Sequence, residues 1–322
     1  NGGGLPYSTT AAPTGIIYPP TTTGFIRIFA NGGGFSAQRP DGTIVSWGNN
    51  NSVTLNLPAT TQTFGNRIVA NDYFDATVSK GAFAGVRPIS GATNNIITWG
   101  SASTGYASDA PGKNALFGVV DIVATSRAFA EIDYNGQIIS WGDSNFGGAS
   151  GGVSLAPPDS TYRQIYANAG AFVGVRQDGS LTAWGSSGNG GSGAPTDTGY
   201  VEVFASLNAF AALKADGSIS AWGNTSYGGT GAPTGTGYTA IYSTTSAFAA
   251  IKADGSISVW GNTAEGGTGG PTGTGWKQIA SNGTAFTALK STGAIFSNWT
   301  GKDALFTEVM GRPPITDAMG AR

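Results

Sequence analysis

Between Ala209 and Thr225 the chain reads AFAALKADGSISAWGNT, two short apolar runs separated by Asp216-Gly217. The stretch returns at 247 to 263 as AFAAIKADGSISVWGNT, changed only at Leu213/Ile251 and Ala221/Val259. Apolar runs of this length flanking Asp-Gly predict a tight β-hairpin, because Asp and Gly tolerate the positive φ angles of a type I′ turn. Along such a strand side chains alternate, so Phe248 and Ala250 share one face while Ala249 and Ile251 share the other. Both faces are apolar, and both must be covered. Upstream of each hairpin lies a further β-like run, such as YTAIY, VEVFA, RQIYA, FIRIFA or WKQIA. Downstream comes a stretch rich in Gly, Thr and Pro that supplies at most a short, irregular outer strand. No 3.6-residue periodicity persists beyond two turns, so the unit is an antiparallel sheet of three or four strands.

The unit recurs seven times. A Trp-Gly pair closes it at Trp47, Trp99, Trp141, Trp184, Trp222 and Trp260, and Trp299 holds the same place before Thr300. The intervals are 52, 42, 43, 38, 38 and 39 residues. A small residue followed by Phe opens each hairpin, at Phe35, Phe83, Phe129, Phe172, Phe210, Phe248 and Phe286. Turn signals stand at Asp41-Gly42, Asn135-Gly136, Asp178-Gly179, Asp216-Gly217 and Asp254-Gly255, with a longer loop around Gly91 and Thr292-Gly293 in the seventh unit. Units of roughly 40 residues with about four strands, covered on both faces by their neighbours, describe a β-propeller. The expected fold is all-β, a seven-bladed β-propeller of antiparallel three- to four-stranded blades. The alanines let sheets approach closely, and the repeated Phe and Trp fill the wider gaps as core.

The pattern apolar-Ala-x-Leu-Lys-x-Asp-Gly-x-Ile-x-x-Trp-Gly-Asn, followed by a Gly-rich stretch and Pro, resembles the repeat of the regulator of chromosome condensation family. It covers residues 25 to about 300. The flavour is that of the secreted bacterial branch, which includes a propeller-shaped β-lactamase inhibitor. The resemblance implies a seven-bladed propeller and, for the inhibitor branch, aromatic anchors in the loops before each Phe. Here those loops are small and polar, as in Thr125-Ser126-Arg127, Asn168-Ala169-Gly170 and Ser206-Leu207-Asn208, apart from Tyr73-Phe74 in the second unit. A tight protein interface is built around buried aromatic or Arg clusters. Tyr73, Phe74 and Arg127 are therefore the candidate contacts at the propeller mouth.

Composition narrows the function. The chain of 322 residues has 53 glycines and 11% charged residues, against about 25% charged in an ordinary soluble domain. A net charge of -2, with no Lys/Arg cluster, offers no electrostatic footprint for nucleic acid. No apolar run reaches the ~18 residues that span a bilayer. Low charge with much Gly, Ser, Thr and Asn suits an exported, extracellular or cell-surface protein, read as a mature or trimmed form. There is no histidine and no cysteine, which removes the Ser-His-Asp triad, the commonest zinc ligand and thiolate chemistry. Asp41, Asp178, Asp216 and Asp254 have turn roles, while Glu131, Glu202, Glu265 and Glu308 occur singly, so no carboxylate pair for glycoside hydrolysis stands out. No enzyme activity, cofactor or metal is expected. GNGGSG at 188 to 193 matches G-x-G-x-x-G, but no helix follows to present its N-terminus, so it is expected to be a flexible outer loop.

The ends of the chain carry the last expectation. Residues 25–301 form the propeller, and residues 1–24, whose TTAAPTGIIYPPTTTGF resembles the segment joining units, close the last blade. Residues 302–322 then form a surplus arm whose KDALFTEVMG repeats the start of a unit, with strand character from Leu305 to Met310. Leu305, Phe306, Val309 and Met310 are its candidate assembly contacts. The arm adds to a neighbouring subunit by strand addition, folds back on its own propeller or replaces the N-terminal strand. The resulting expectation is a non-catalytic exported propeller acting as a structural or adhesive subunit that self-assembles through its terminal segments. The alternative is a soluble module that binds another surface protein or a glycan through one mouth.

Overall fold

A computed structural model describes residues 16–17, 20–31, 34–49, 68–74, 79–88, 94–100, 118–149 and 161–296. The first sheet holds β1 (Ile16–Ile17), β2 (Arg27–Asn31), β3 (Gly34–Gln38) and β4 (Ile44–Asn49), in the spatial order β1-β4-β3-β2. The second holds β5 (Ile68–Phe74), β6 (Ser79–Pro88) and β7 (Asn94–Gly100), and the third β8 (Val119–Ala124), β9 (Ala128–Asp133) and β10 (Ile138–Gly142). The fourth is β11 (Tyr162–Ala167), β12 (Ala171–Arg176) and β13 (Leu181–Gly185), and the fifth β14 (Tyr200–Ala205), β15 (Ala209–Lys214) and β16 (Ile219–Gly223). The sixth is β17 (Tyr238–Ser243), β18 (Ala247–Lys252) and β19 (Ile257–Gly261), and the seventh β20 (Trp276–Ser281), β21 (Phe286–Lys290) and β22 (Ile295–Phe296). Within each, spatially neighbouring strands pair antiparallel. These sheets are the blades of a seven-bladed β-propeller, and the first strands of neighbouring blades approach one another.

The expected two-faced hairpin is what packs the blades. Phe248, Ala250 and Trp260 join Ala209, Ala211 and Leu213 of the preceding blade in one cluster. Ala247, Ala249 and Ile251, on the opposite face, meet Trp276, Ile279 and Phe286 of the following blade. The alternation of large and small residues is thus a joint: an aromatic face of one blade on an alanine face of the one before. Strand register sets Phe and Trp directly opposite, as in Phe210↔Trp222. Their rings stack at 5.4 Å between centroids there and at 5.3 Å for Phe248–Trp260. Each buried aromatic of this kind is worth roughly 1.5–3 kcal/mol of burial, with about 0.5–1.5 kcal/mol more from the ring pair. Trp299 lies outside the described residues.

Two local features differ from expectation, the hairpin turn and the pairing of the N-terminal segment. The hairpin turn is a three-residue loop rather than a two-residue type I′ turn: Gly217 donates to the Lys214 carbonyl and Lys214 donates to the Ser218 carbonyl. Asp216 accepts from the Ser218 N–H and hydroxyl, which favours this turn followed by a left-handed Gly. The Gly-rich stretch after Trp-Gly supplies no outer strand in the third to sixth blades among the described residues. It forms a short 3-10 turn instead, such as Thr225–Tyr227, with Asn224 capping it through the Ser226 N–H. Finally, residues 1–24 were expected on the last blade, and the structure pairs Ile16 with Asn49 and Ile17 with Gly48 of the first blade. Residues 302–322, with Leu305, Phe306, Val309 and Met310, lie outside the described residues.

Candidate interaction surfaces

The loops between the first and second strands were the candidate mouth. In the structure their backbones are strung together from blade to blade. Ser126 N–H donates to the Ala169 carbonyl, Ala169 to Leu207, Leu207 to Thr245 and Thr245 to Gly283, at 2.8 to 3.2 Å. The side chains beneath cap the loop. Asn168 Oδ1 accepts from the Gly170 and Ala171 N–H groups, and Thr244 Oγ1 accepts from Ala247 N–H. The small polar character of these loops is thereby explained, since their polar groups are consumed in holding blades together. Leu207 is the large apolar side chain left exposed on this string.

Arg127 is engaged by its own blade. It pairs with Asp143 at 3.2 Å, and its guanidinium lies 5.1 Å from the centre of the Phe146 ring. That joins the loop before Phe129 to the 3-10 turn after Trp141, so Arg127 has a structural role there. Tyr73 and Phe74 end β5, opposite Lys80 and Ser79. They extend the second blade's first hairpin beyond the length seen in blades three to seven.

On the other side, each hairpin tip is latched by the next blade. Gly237 N–H donates to the Asp216 carbonyl at 2.9 Å and Tyr238 N–H to the Gly217 carbonyl at 3.2 Å. The same pair of bonds joins Gly199 and Tyr200 to Asp178 and Gly179, and Gly275 and Trp276 to Asp254 and Gly255. The turn Gly is required twice. Its φ is +80° at Gly217, and a Cβ there would lie 2.4 Å from the Tyr238 nitrogen. The Lys before the turn also has a structural use, its ammonium resting 4.9 Å from the Tyr200 ring centre at Lys214 and 4.8 Å from that of Tyr238 at Lys252.

GNGGSG, expected to be a flexible outer loop, is the third clasp. Trp222 Nε1 donates to the Gly190 carbonyl and Trp260 Nε1 to that of Gly228, both at 3.0 Å. A Cβ on Gly190 or Gly228 would strike the next blade's Phe ring at 2.9 or 2.6 Å. The first Gly of the pair lets the next blade's Phe approach, and the second, where a Cβ would stand 2.5 Å from the Gly185 carbonyl at Gly191, lets the turn fold back on its own blade's Trp-Gly. Sequence reasoning missed this role, and the recurrence of Gly-Gly in the same slot of neighbouring units was its signal.

Burial raises the Glu202 carboxyl above its ordinary value. Glu265 accepts from the Ser246 hydroxyl at 2.6 Å, and Glu131 is fully buried. Asp41, Asp178 and Asp254 are held below the usual carboxylate range, first by the backbone N–H two residues on, and Asp216 first by the Ser218 hydroxyl. No group of three or more His, Cys, Asp or Glu that could hold a metal occurs among the described residues. No helix among them is long and apolar enough to cross a membrane.

The exposed apolar surface concentrates at the ends of the blade series. Ile165, Val203, Ile241 and Ile279 occupy one position and are 4%, 3%, 3% and 2% exposed; Ile28, in that position on the first blade, is 66% exposed. Phe35 is 38% exposed where the six phenylalanines at the same position of the other blades are at 0%. On the seventh blade the opposite face is open, with Leu289 at 37% against 5% for Leu213, and Ile295 at 70%.

No family model matches the chain, and no curated protein matches it. Among solved structures it is similar to the CRINKLY WD40 ectodomain of the Arabidopsis thaliana receptor kinase ACR4, at 15% identity over 86% of this chain and 94% of that one, TM-score 0.41. Human WBSCR16 is similar at 15% identity over 73% and 76%, TM-score 0.41. Yeast RCC1 (Prp20), solved with Kap60, is similar at 12% identity over 82% and 79%, TM-score 0.40. At these values the likeness carries no argument about function, and the propeller rests on the seven sheets themselves.

Proposed function

We propose that this chain is a non-catalytic, exported β-propeller of the secreted bacterial kind, acting as an extracellular structural or adhesive subunit that self-associates through its terminal regions. The observation that carries the reading is the pair of open apolar faces on the first and seventh blades. Contiguous exposed apolar surface marks association sites on soluble proteins, and here both patches are versions of a face that every interior blade buries. Low charge density supports export. The test is the native mass of the full chain by light scattering beside a version ending at Gly301. A full-length chain that stays monomeric at every concentration overturns the reading. Loss of assembly only in the shortened version assigns the contact to residues 302–322.

A second reading, a protein- or glycan-binding module, is supported by the lengthened β5–β6 hairpin that carries Tyr73 and Phe74. Binding of a soluble partner or glycan that Tyr73→Ala weakens tenfold, with the chain remaining monomeric, would put this reading first.

A further inference from the structure

The two open faces are halves of one joint. Between neighbouring blades the same contacts recur: Ile132 clusters with Ile165, Val175 with Val203, Leu213 with Ile241 and Ile251 with Ile279. Continuing the series by position, the next pair is Leu289 of the seventh blade with Ile28 of the first. Phe35 would meet the face carrying Ala285 and Thr287, as Phe286 meets Ala247 and Ala249.

The backbone latch is likewise preformed on both sides. Gly293 has φ +88°, and its turn keeps the same internal bonds, Gly293 N–H to the Lys290 carbonyl and Lys290 N–H to the Ala294 carbonyl. A Cβ at Gly179, Gly217 or Gly255 meets the next blade's backbone at 2.4 to 2.6 Å, whereas at Gly293 it meets nothing within 4 Å. The receiving half is Gly24-Phe25. Gly24 has φ +91°, close to the +87°, +84° and +84° of Gly199, Gly237 and Gly275, which donate to the turns of the blades before them. Phe25 lies under the Arg39 guanidinium at 4.8 Å, as Tyr162 lies under Arg176 at 4.6 Å. Among the described residues, no bond joins Gly24 or Phe25 to Thr292 or Gly293.

We infer that the seventh blade of one copy docks on the first blade of a second copy, repeating the interior joint between chains, with Leu289 against Ile28 and Gly293 latched by Gly24-Phe25. This rests on the self-association reading and specifies its surface. Among the described residues of one chain, neither face covers the other. A contact between two different patches is head-to-tail, and such contacts propagate into rings or open filaments.

The chain has no cysteine, so introduced thiols report only on the designed pair. Ile28→Cys and Leu289→Cys chains are mixed under mild oxidation and run without reductant. Each variant's circular dichroism is matched to the parent first. The expected result is a disulfide-linked heterodimer in the mixture and a ladder from the double variant, with Ile28→Asp lowering association at least tenfold. A fast-migrating monomer from the double variant, with no heterodimer, shows that the joint closes within one chain and overturns the proposal. Assembly that persists with no cross-link of either kind, untouched by Ile28→Asp, overturns it while leaving self-association standing through residues 302–322. A chain that is monomeric by light scattering removes both.

Discussion

Gly217→Ala and Gly193→Ala form a matched pair that measures one inter-blade latch. Both glycines have φ +80°, so an alanine at either suffers the same left-handed backbone. That costs about 1–2 kcal/mol, offset in part by a stiffer unfolded chain. The surroundings differ. At Gly193 the added methyl meets nothing within 4 Å, while at Gly217 it would stand 2.4 Å from the Tyr238 nitrogen and 2.5 Å from that of Gly237. Both neighbours are backbone, so relief requires the strands to part, and the bonds from Gly237 and Tyr238 N–H are the ones that lengthen. Two such bonds contribute about 0.5–1.5 kcal/mol each. Gly217→Ala is therefore expected to lose about 1–3 kcal/mol more than Gly193→Ala. Urea unfolding followed by Trp fluorescence gives the difference from the shift in midpoint at constant slope. Equal midpoints for the two variants would refute the latch as a contributor to stability.

Trp222→Phe keeps most of the ring but leaves the Gly190 carbonyl without its 3.0 Å donor, and is expected to cost about 1–3 kcal/mol in the same urea assay. The turn aspartates have lowered values, so their contribution is complete above the unfolded value of 3.8 and lost as pH falls through the lowered folded value. Asp254→Asn should reduce the fall in midpoint expected below pH 4, and an acid limb identical to the parent's would contradict it. Glu202 has the opposite sign. Its folded value is raised by burial, so its ionisation costs stability as pH rises above the ordinary 4.5, and Glu202→Gln should raise the midpoint at pH 7 while changing nothing at pH 3.

Much of the blade was legible because its determinants are local and repeated. The Asp-Gly turns marked the hairpins, and the alternation of Phe248 and Ala250 against Ala249 and Ile251 marked two covered faces, which the clusters on either side of that blade contain. The turn geometry was misread because Asp216 acts through its side chain, accepting from Ser218, rather than through tolerance of positive φ. Gly190 and Gly228 were misread for a different reason: what they accommodate, the ring of Phe210 or Phe248, comes from the next unit. Glycine at such a site records a close approach, and a single unit does not say by what. The mouth loops fall in the same class, since Ala169 and Leu207 look free for a ligand until their backbones are seen bonded to each other.

This division has a physical origin. Each unit of a repeat specifies a donor face and an acceptor face, and nearest-neighbour contacts then stabilise the series. The same face is written at Ile28 as at Ile241, and local sequence cannot distinguish the buried copy from the exposed one. Whether an end face meets its own chain or another depends on how many joints the series contains and on how far each turns. Neither quantity resides in a unit. Natural repeat arrays that stay monomeric blunt their ends with polar capping units. Here the first blade presents Ile26, Ile28 and Phe35 and the seventh Leu289 and Ile295. A terminal face that keeps the apolar residues of an interior joint retains the free energy of that joint, and Leu289 meeting Ile28 is the contact that would release it.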